Sequence, residues 1–168
     1  MINTYNLFAV PVVHTKMPLP IDIHKKIILF VENNYKEGNL NSIANGFSSH
    51  EEFNGKKEMQ NLLDNFLKNT CNLKIKHGWL NVLGDKSHNK PHFHAGNNVK
   101  YAGVYYLSNQ NNNINFTKDG DIFELKPTLF DLLVFPATLL HYVLPEYRAE
   151  KRISFAFNLS TIGEENVT

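Results

Sequence analysis

Two histidines, His92 and His94, stand one residue apart in the stretch 88–107, which reads HNKPHFHAGNNVKYAGVYYL. Because side chains alternate between the two faces of an extended backbone, an H-x-H pair projects both imidazoles to the same side. Two nitrogen donors on one face can bind a metal ion, and imidazole suits iron, zinc, copper and nickel alike. The simpler alternative is the end of a surface strand that carries two solvated histidines.

A third histidine, His141, lies between Leu140 and Tyr142 in the run 131–143, DLLVFPATLLHYV. Taken alone, a histidine in such an apolar run is more often a hydrogen-bonded core residue than a ligand. Together with the H-x-H pair it can supply the third ligand on one face of a metal ion. The remaining positions of that ion would then be open to substrate, cofactor and oxygen.

Arginine occurs only twice in the chain, at Arg148 and Arg152, although lysine is abundant. Arg152 opens the run RISFAF, whose alternating pattern predicts a strand with Arg152 and Ser154 on one face. A guanidinium binds a carboxylate through two parallel hydrogen bonds, and the Ser154 hydroxyl can donate to the same anion. The alternative is a salt bridge at the rim of the protein, with Glu146 or Glu150 as the partner.

The hydrophobic period changes near Cys71, from about 3.6 residues before it to 2 after it. The first part predicts an edge strand over 5–13 and two helices, at about 21–35 and about 52–70. Asp22 can cap the first of these helices. The second part predicts a series of short strands, typical of a sandwich or barrel. These predicted strands span residues 73–83, 99–107, 114–117, 121–125, 132–135, 139–144 and 152–159.

The connections between these elements are predicted from polar residues and glycine. Residues 109–113 (NQNNN) predict a hairpin loop, and 119–121 (DGD) predict a turn. Loops near 39–53 and 84–90 are candidates for substrate specificity. The remaining histidines with no partner at metal-ligand spacing are interpreted as surface or cap residues: His14, His24, His50 and His77.

Composition limits the classes of protein to which the chain can belong. With 168 residues, 17 basic and 16 acidic side chains and a net charge of +1, it is predicted to be a single domain over 1–168 with no basic footprint for nucleic acid. The single cysteine excludes an intramolecular disulfide. With no secretory signal or long apolar span in the sequence, we expect a soluble cytoplasmic protein without a membrane segment.

Six motifs occur in an order that resembles a known family: W-x-N, H-x-H, A-G-V-Y-Y-L, L-x-x-F-P, H-x-V-x-P and R-I-S-x-x-F-N. They resemble the small 2-oxoglutarate and Fe(II)-dependent oxygenases of the prolyl-hydroxylase-like branch. The resemblance covers roughly residues 73–160, with a weaker match at Leu7-Phe8. It implies a mainly β fold, a double-stranded β-helix (jelly roll, cupin-like) with its core at about 73–160 and two supporting N-terminal helices.

The resemblance also implies a metal site in which His92, His94 and His141 hold Fe(II). In the wider superfamily the second ligand is usually Asp or Glu, so His94 departs from the common pattern. Replacing a carboxylate by a neutral imidazole leaves one more positive charge on the ferrous centre. We expect this charge to favour anionic 2-oxoglutarate and to alter the redox poise of the metal.

By the same resemblance, Arg152 would pair with the distal carboxylate of 2-oxoglutarate, with help from Ser154 and Tyr106. Asn81 would lie near the metal end of the cofactor, and Asn158 close to the metal. Aromatic residues of the same segments are candidates for the pocket wall or for the core (Trp79, Tyr101 and Tyr105) and for the core alone (Phe155).

The activity implied is that of a hydroxylase that consumes O2 and 2-oxoglutarate and forms succinate and CO2. Its substrate would be a small molecule or a protein or peptide, since the near-neutral charge disfavours nucleic acid. Two alternatives stay open from the residues. One is a three-histidine cupin-type metalloenzyme that does not use 2-oxoglutarate, and the other is a non-catalytic metal-binding β-sandwich module.

Overall fold

A computed structural model of the chain describes residues 2–7, 10–40, 42–94, 96, 99–109 and 113–163. These residues form two helices, α1 (Ile21–Asn34) and α2 (Lys56–Cys71), and twelve strands. The strands are β1 (Ile2–Leu7), β2 (Val10–Lys16), β3 (Gly38–Leu40), β4 (Ile43–Ser49), β5 (Leu73–Leu83), β6 (His88–His92), β7 (Tyr101–Tyr106), β8 (Ile114–Lys118), β9 (Asp121–Leu125), β10 (Asp131–Pro136), β11 (Leu140–Val143) and β12 (Arg152–Thr161).

The strands pair antiparallel in two sheets that are continuous through β4. The first sheet has the order β1-β2-β10-β7-β12-β5-β4, and the second has the order β4-β6-β11-β8-β9. β4 pairs with β5 through residues 47–49 and with β6 through residues 43 and 44, so one strand belongs to both sheets of the curled structure. The predicted mainly β, jelly-roll fold with two N-terminal helices is confirmed.

Strand alternation divides the apolar residues between two cores. One lies between the helices and the first sheet, and the other lies inside the curl, between the two sheets. The helix-side core includes Ile27, Met59, Leu63, Leu67, Leu80, Tyr105, Phe155 and Phe157. The core inside the curl includes Val12, Val104, Tyr106, Phe116, Leu133, Phe135 and Leu139.

The helices differ from the prediction at their N-termini. Pro20, not Asp22, is the N-cap of α1, and no side chain caps it by a hydrogen bond; Asp22 lies in the first turn, where its charge favours the helix dipole. Before α2, Gly55 adopts a left-handed conformation (φ 92°), so the helix begins at Lys56 rather than near 52. Neither helix among the described residues is long and apolar enough to cross a membrane.

The single edge strand predicted over 5–13 is wrong, because β1 and β2 form a hairpin in which Thr4 pairs with Val13. The loops predicted near 39–53 and 84–90 are also partly strand, since β3 and β4 occupy most of the first and β6 begins at His88 in the second. The turn after β8 is confirmed, with positive φ at Asp119 and Gly120. Much of the loop predicted at 109–113, together with Phe8, lies outside the described residues.

Candidate functional site

The second sheet brings the three candidate ligands together. His92, at the end of β6, lies directly opposite His141 of β11 in the antiparallel register. His94 lies beyond the end of β6, where its backbone N–H donates to the Ala137 carbonyl (2.8 Å). One ring nitrogen of each histidine lies within 4.8 Å of those of the other two. The three imidazoles are therefore placed to bind one metal ion, although the H-x-H pair is not contained in one strand as expected.

Each of these imidazoles is oriented by a hydrogen bond from its Nδ1 to an oxygen that can only accept. Nδ1 therefore carries the proton, and the lone pair of Nε2 is left for a metal. The acceptors are the Lys90 carbonyl for His92 (2.7 Å), Asn158 Oδ1 for His94 (2.6 Å) and the Leu139 carbonyl for His141 (2.9 Å).

Burial lowers the pKa of all three imidazoles, which favours the neutral, metal-binding form. The effect is largest at His141, which is 4 % exposed and packs against the rings of Phe135 and Phe116. Burial comes first among the causes of its lowered pKa, and the neighbouring His92 lowers it further. The lowered pKa values favour the deprotonated imidazoles that a metal ion would need.

The first sheet supplies the opposite wall of the site. β12 lies between β5 and β7, with Ser154 paired to Asn81 on one side and to Tyr106 on the other. Since alternate residues share a face, every second residue of β12 points into the curl. The residues that line the enclosed cavity from this sheet are Trp79, Asn81, Val104, Arg152, Ser154 and Ala156.

Arg152 is a buried cation, 4 % exposed. Its Nη2 donates to the Tyr106 hydroxyl (3.3 Å), its guanidinium lies 5.2 Å from the centre of that ring, and its Nε has no hydrogen-bond partner. No carboxylate of the described residues forms an ion pair with it, so the alternative of a rim salt bridge to Glu146 or Glu150 is wrong. A buried guanidinium that has no carboxylate within salt-bridge distance, with only the more distant charge of Glu146 acting on it, is suited to an anionic ligand.

One cavity connects the triad to this arginine. It is lined by His92, His94 and His141 at one end and by Arg152 and Ser154 at the other. Asn81 also lines the cavity, and its buried Oδ1 has no partner among the described residues. Tyr106 lies behind Arg152, whereas Asn158 contacts His94 and lines the outer side of the metal site.

Outside the triad, the cavity opens into a wider cleft, which we call the outer cleft. It is lined by Ser42, Ile43, Ser48, His50, His77, Trp79, Asn81, His92, Phe93, His94 and Asn158. His50 and His77 are exposed at the surface, as predicted, but they contact each other: Nδ1 of His50 lies 2.8 Å from Nε2 of His77. The spacing H-x-W-x-N at residues 77–81 could have indicated that His77 shares the face of Trp79 and Asn81.

The other aromatic candidates lie in or against the helix-side core. Tyr105 and Phe155 are fully buried there, and the Tyr105 hydroxyl donates to the Met17 carbonyl (2.7 Å). Tyr101 packs against the same core. Of the four aromatic residues considered from the sequence, Trp79 alone lines the cavity and the cleft.

Neither a known protein-family profile nor a curated protein matches the sequence. The solved structures that resemble it include a prolyl-4-hydroxylase from Pseudomonas putida, with 13% sequence identity over 94% of this chain and 96% of that one and a TM-score of 0.66. The chain has the fold of the 2-oxoglutarate and Fe(II)-dependent oxygenases.

Two further structures with this fold contain bound molecules. One is a prolyl hydroxylase from Trichoplax adhaerens in complex with a peptide fragment of hypoxia inducible factor, with 14% identity over 89% of this chain and 83% of that one and a TM-score of 0.66. The other is HygX from Streptomyces hygroscopicus with nickel, 2-oxoglutarate and hygromycin B, with 9% identity over 90% and 83% and a TM-score of 0.66.

Proposed function

We propose that this protein is a 2-oxoglutarate-dependent non-haem Fe(II) dioxygenase that hydroxylates its substrate. The observation that carries the proposal is the single cavity that joins three imidazoles to a buried arginine with no carboxylate of the described residues at salt-bridge distance. A structural metal site alone would have no use for that arginine. A binding pocket for an anion alone would not need three histidines whose Nε2 atoms are left for a metal.

The donor set fits a ferrous ion. His92, His94 and His141 would hold the ion through their ring nitrogens, and three such ligands would leave it accessible to 2-oxoglutarate and O2. Because no carboxylate is among the ligands, the full charge of the ion attracts the cofactor's dianion. When bound, iron and 2-oxoglutarate supply the oxidising chemistry, in which O2 is consumed, 2-oxoglutarate becomes succinate and CO2, and a C–H group of the substrate becomes C–OH.

The opposite end of the cavity fits the distal carboxylate of 2-oxoglutarate. Arg152 has Nε available, and its bond to Tyr106 restricts the orientation of the guanidinium plane. Ser154 lies two residues further along the same face of β12 and can donate its hydroxyl to the same anion. Asn81 lies beside this path and can contact the cofactor nearer the metal. In this buried setting, hydrogen bonds to a carboxylate are stronger than in water.

The chain's own contribution is orientation and the exclusion of water. Hydrogen bonds orient the three imidazole rings, so the Nε2 lone pairs already point toward the metal site in the metal-free protein. The acceptors are the Lys90 and Leu139 carbonyls and the Asn158 amide oxygen. Phe116 and Phe135 cover His141 from the side of the inner core. The cavity adjoins the outer cleft, which we take as the route of the substrate.

The substrate is a small molecule or a protein or peptide segment. Structures with this fold hold a peptide in one case and hygromycin B in another, which supports both classes. The net charge of +1 argues against nucleic acid. We further propose that residues 1–168 act as one domain in the cytoplasm.

The test is turnover of 2-oxoglutarate in the absence of a substrate. The wild-type protein with Fe(II), O2 and 2-oxoglutarate should form succinate slowly, and Arg152→Glu should abolish this reaction. The matched control is Lys126→Glu, a charge reversal of an exposed residue outside the site, which should turn over like the wild type. Metal binding without any succinate would contradict the proposal and favour a cupin-type enzyme or a binding module. Undiminished succinate formation by Arg152→Glu would contradict the role of Arg152.

A further inference from the structure

The wall of the outer cleft contains a hydrogen-bonded pair of imidazoles. The nitrogens of His50 and His77 lie 2.8 Å apart, the ring planes differ by 14°, and the ring centres are 5.0 Å apart. Atoms of rings stacked face to face stay about 3.5 Å or more apart, so a 2.8 Å contact between nearly parallel rings places them side by side. The two imidazoles therefore form one flat surface.

Trp79 packs against this pair and against the metal site. Its ring is inclined by 23° to His50 and by 31° to His77, with ring centres 5.5 and 5.7 Å away. Its ring also lies 5.6 Å from the ring of His94, a candidate metal ligand. We call His50, His77 and Trp79 the aromatic plate. A ligand against this plate lies next to the proposed reaction centre.

The edge of the plate offers one donor and one acceptor whichever way the shared proton lies. If His50 Nδ1 donates to His77 Nε2, His77 Nδ1 carries a proton and His50 Nε2 has a free lone pair. The opposite arrangement exchanges these roles. Burial, together with the nearby His77 and Lys56, lowers the pKa of His50. The pair therefore presents both a donor and an acceptor at its edge.

No acidic or basic side chain other than histidine lines the outer cleft among the described residues. Lys56, whose charge acts on His50, is committed elsewhere: its Nζ donates to the His50 and Glu51 carbonyls and pairs with Glu52. Away from the metal, a charged ligand group would lose hydration in the cleft without meeting a side chain of opposite charge. The cleft thus favours an uncharged ligand.

We propose that the aromatic plate binds the substrate through a planar, uncharged heterocycle that carries ring N–H and C=O groups, as a lactam or a free nucleobase does. Flat aromatic faces bind planar rings by stacking. Around the plate, Ser48 and Asn158 supply polar contacts for ring N–H and C=O groups, and Phe93, 57 % exposed, adds a second aromatic surface to the cleft. This inference names the substrate class of the proposed oxygenase and rests on that function.

The chain has one tryptophan, Trp79, so its fluorescence reports on ligands at the plate, with a matched metal-only titration subtracted because Trp79 also lies against His94. The probes are uracil, hypoxanthine, 5,6-dihydrouracil and orotate, titrated into metal-free and Fe(II)-loaded protein under anaerobic conditions. Dihydrouracil keeps the ring N–H and C=O groups of uracil but is not planar, and orotate adds a negative charge. We expect saturable quenching by uracil or hypoxanthine, with dihydrouracil and orotate about tenfold weaker than uracil.

His50→Ala and His77→Gln should each weaken binding of the planar probes, the first by about tenfold. His50 and His77 are exposed, so neither change disturbs the core. Tyr147→Ala, at a residue 82 % exposed and outside the cleft, is the control and should bind as the wild type does.

Several results would overturn the inference. They are equal binding of uracil and dihydrouracil, no saturable binding of either planar probe, unchanged affinity in His50→Ala, or tighter binding of methyl glucoside or N-acetylprolinamide. If the wild type still forms succinate from 2-oxoglutarate, the inference fails and the oxygenase stands. If planar probes bind but no succinate forms, the oxygenase fails and a heterocycle site remains.

Discussion

Along β12, the residues that face the helices are apolar and buried, whereas those that face the second sheet are polar or small. Ile153, Phe155 and Phe157 belong to the helix-side core, while Arg152 and Ser154 line the cavity. Both sets are almost inaccessible to water. The difference is that the apolar side chains need no hydrogen-bond partners, whereas Nε of Arg152 is buried without one.

This contrast separates stability from function within one strand. The helix side contributes hydrophobic burial and tolerates little change in volume. The cavity side holds a buried guanidinium, and an anionic ligand can offset the free-energy cost of its desolvation. Substitutions on the two faces should therefore affect different measurements, and the following predictions test this separation.

The largest effect is expected on the helix side, at Phe157. Phe157→Ala removes a fully buried ring that packs against Gly103, where even a Cβ atom would lie 2.1 Å from the ring. The free energy of unfolding should fall by about 3–5 kcal/mol, as measured by urea denaturation. The fraction that stays folded should still bind metal. A loss below 1 kcal/mol, about the least expected for a buried core residue, would show that this face is not the stabilising one.

On the cavity side, His141→Gln should weaken Co(II) binding by more than about 100-fold. Quenching of Trp79 fluorescence measures it, because that ring lies against His94. Glutamine is preferable to alanine here, since His141 is buried against two phenylalanines and truncation would leave a void. Equal affinity of the variant and the wild type would remove His141 from the ligand set.

At the other end of the cavity, Arg152→Lys keeps the charge but loses the planar fork. The dissociation constant for 2-oxoglutarate should rise by about tenfold, while that for the metal stays the same. Calorimetry with Mn(II)-loaded protein can measure both. Tyr106→Phe, which removes only the hydroxyl that accepts from Arg152 at 3.3 Å, should have a smaller effect in the same direction. Unchanged 2-oxoglutarate affinity in Arg152→Lys would contradict the assignment.

Substitution of Asn158 should reduce metal affinity by a factor comparable to or smaller than that expected for 2-oxoglutarate in Arg152→Lys. Asn158 does not contact the metal but orients His94. Asn158→Leu removes the acceptor for the Nδ1 proton, so Co(II) affinity should fall about tenfold. Asn158→Asp keeps an acceptor and should retain the wild-type affinity or exceed it. If leucine and aspartate at this position behave alike, the hydrogen bond does not orient the ligand.

The smallest expected effect is the change in stability of the metal-free protein with pH. Burial holds the pKa of His141 well below that of an unfolded histidine, so the unfolded chain binds more protons as the solution is acidified. This contribution to stability is fully present above about pH 6.5 and is lost as the pH falls toward the folded pKa. The melting temperature should decrease between pH 7.5 and 5.5, and less so in His141→Gln. An identical pH dependence in both proteins would contradict the burial of a neutral imidazole.

The sequence predicted those parts of the site that depend on local alternation. β5 occupies the predicted residues 73–83, because its alternating pattern is continuous. The same alternation indicated that Arg152 and Ser154 share a face. The order of short motifs indicated the fold, which the comparison with solved structures confirms.

What the sequence did not predict depends on contacts between distant residues. β4 reads IANGFSS, a pattern with no clear period, and it forms because β5 and β6 offer hydrogen bonds on both sides. The His50–His77 pair joins residues 27 positions apart, so no local spacing could indicate it. Likewise, Asn158 accepts a hydrogen bond from His94, a candidate metal ligand that lies 64 residues away in the sequence.

The central claim is that one cavity holds a metal at the three histidines and 2-oxoglutarate between that metal and Arg152. Its most direct test is visible absorption under anaerobic conditions, because 2-oxoglutarate chelated to Fe(II) gives a weak metal-to-ligand charge-transfer band. The band should appear only when both Fe(II) and 2-oxoglutarate are present. It should be absent in His141→Gln and should require more 2-oxoglutarate in Arg152→Lys. No band in the wild type at saturating Fe(II) and 2-oxoglutarate would contradict the claim.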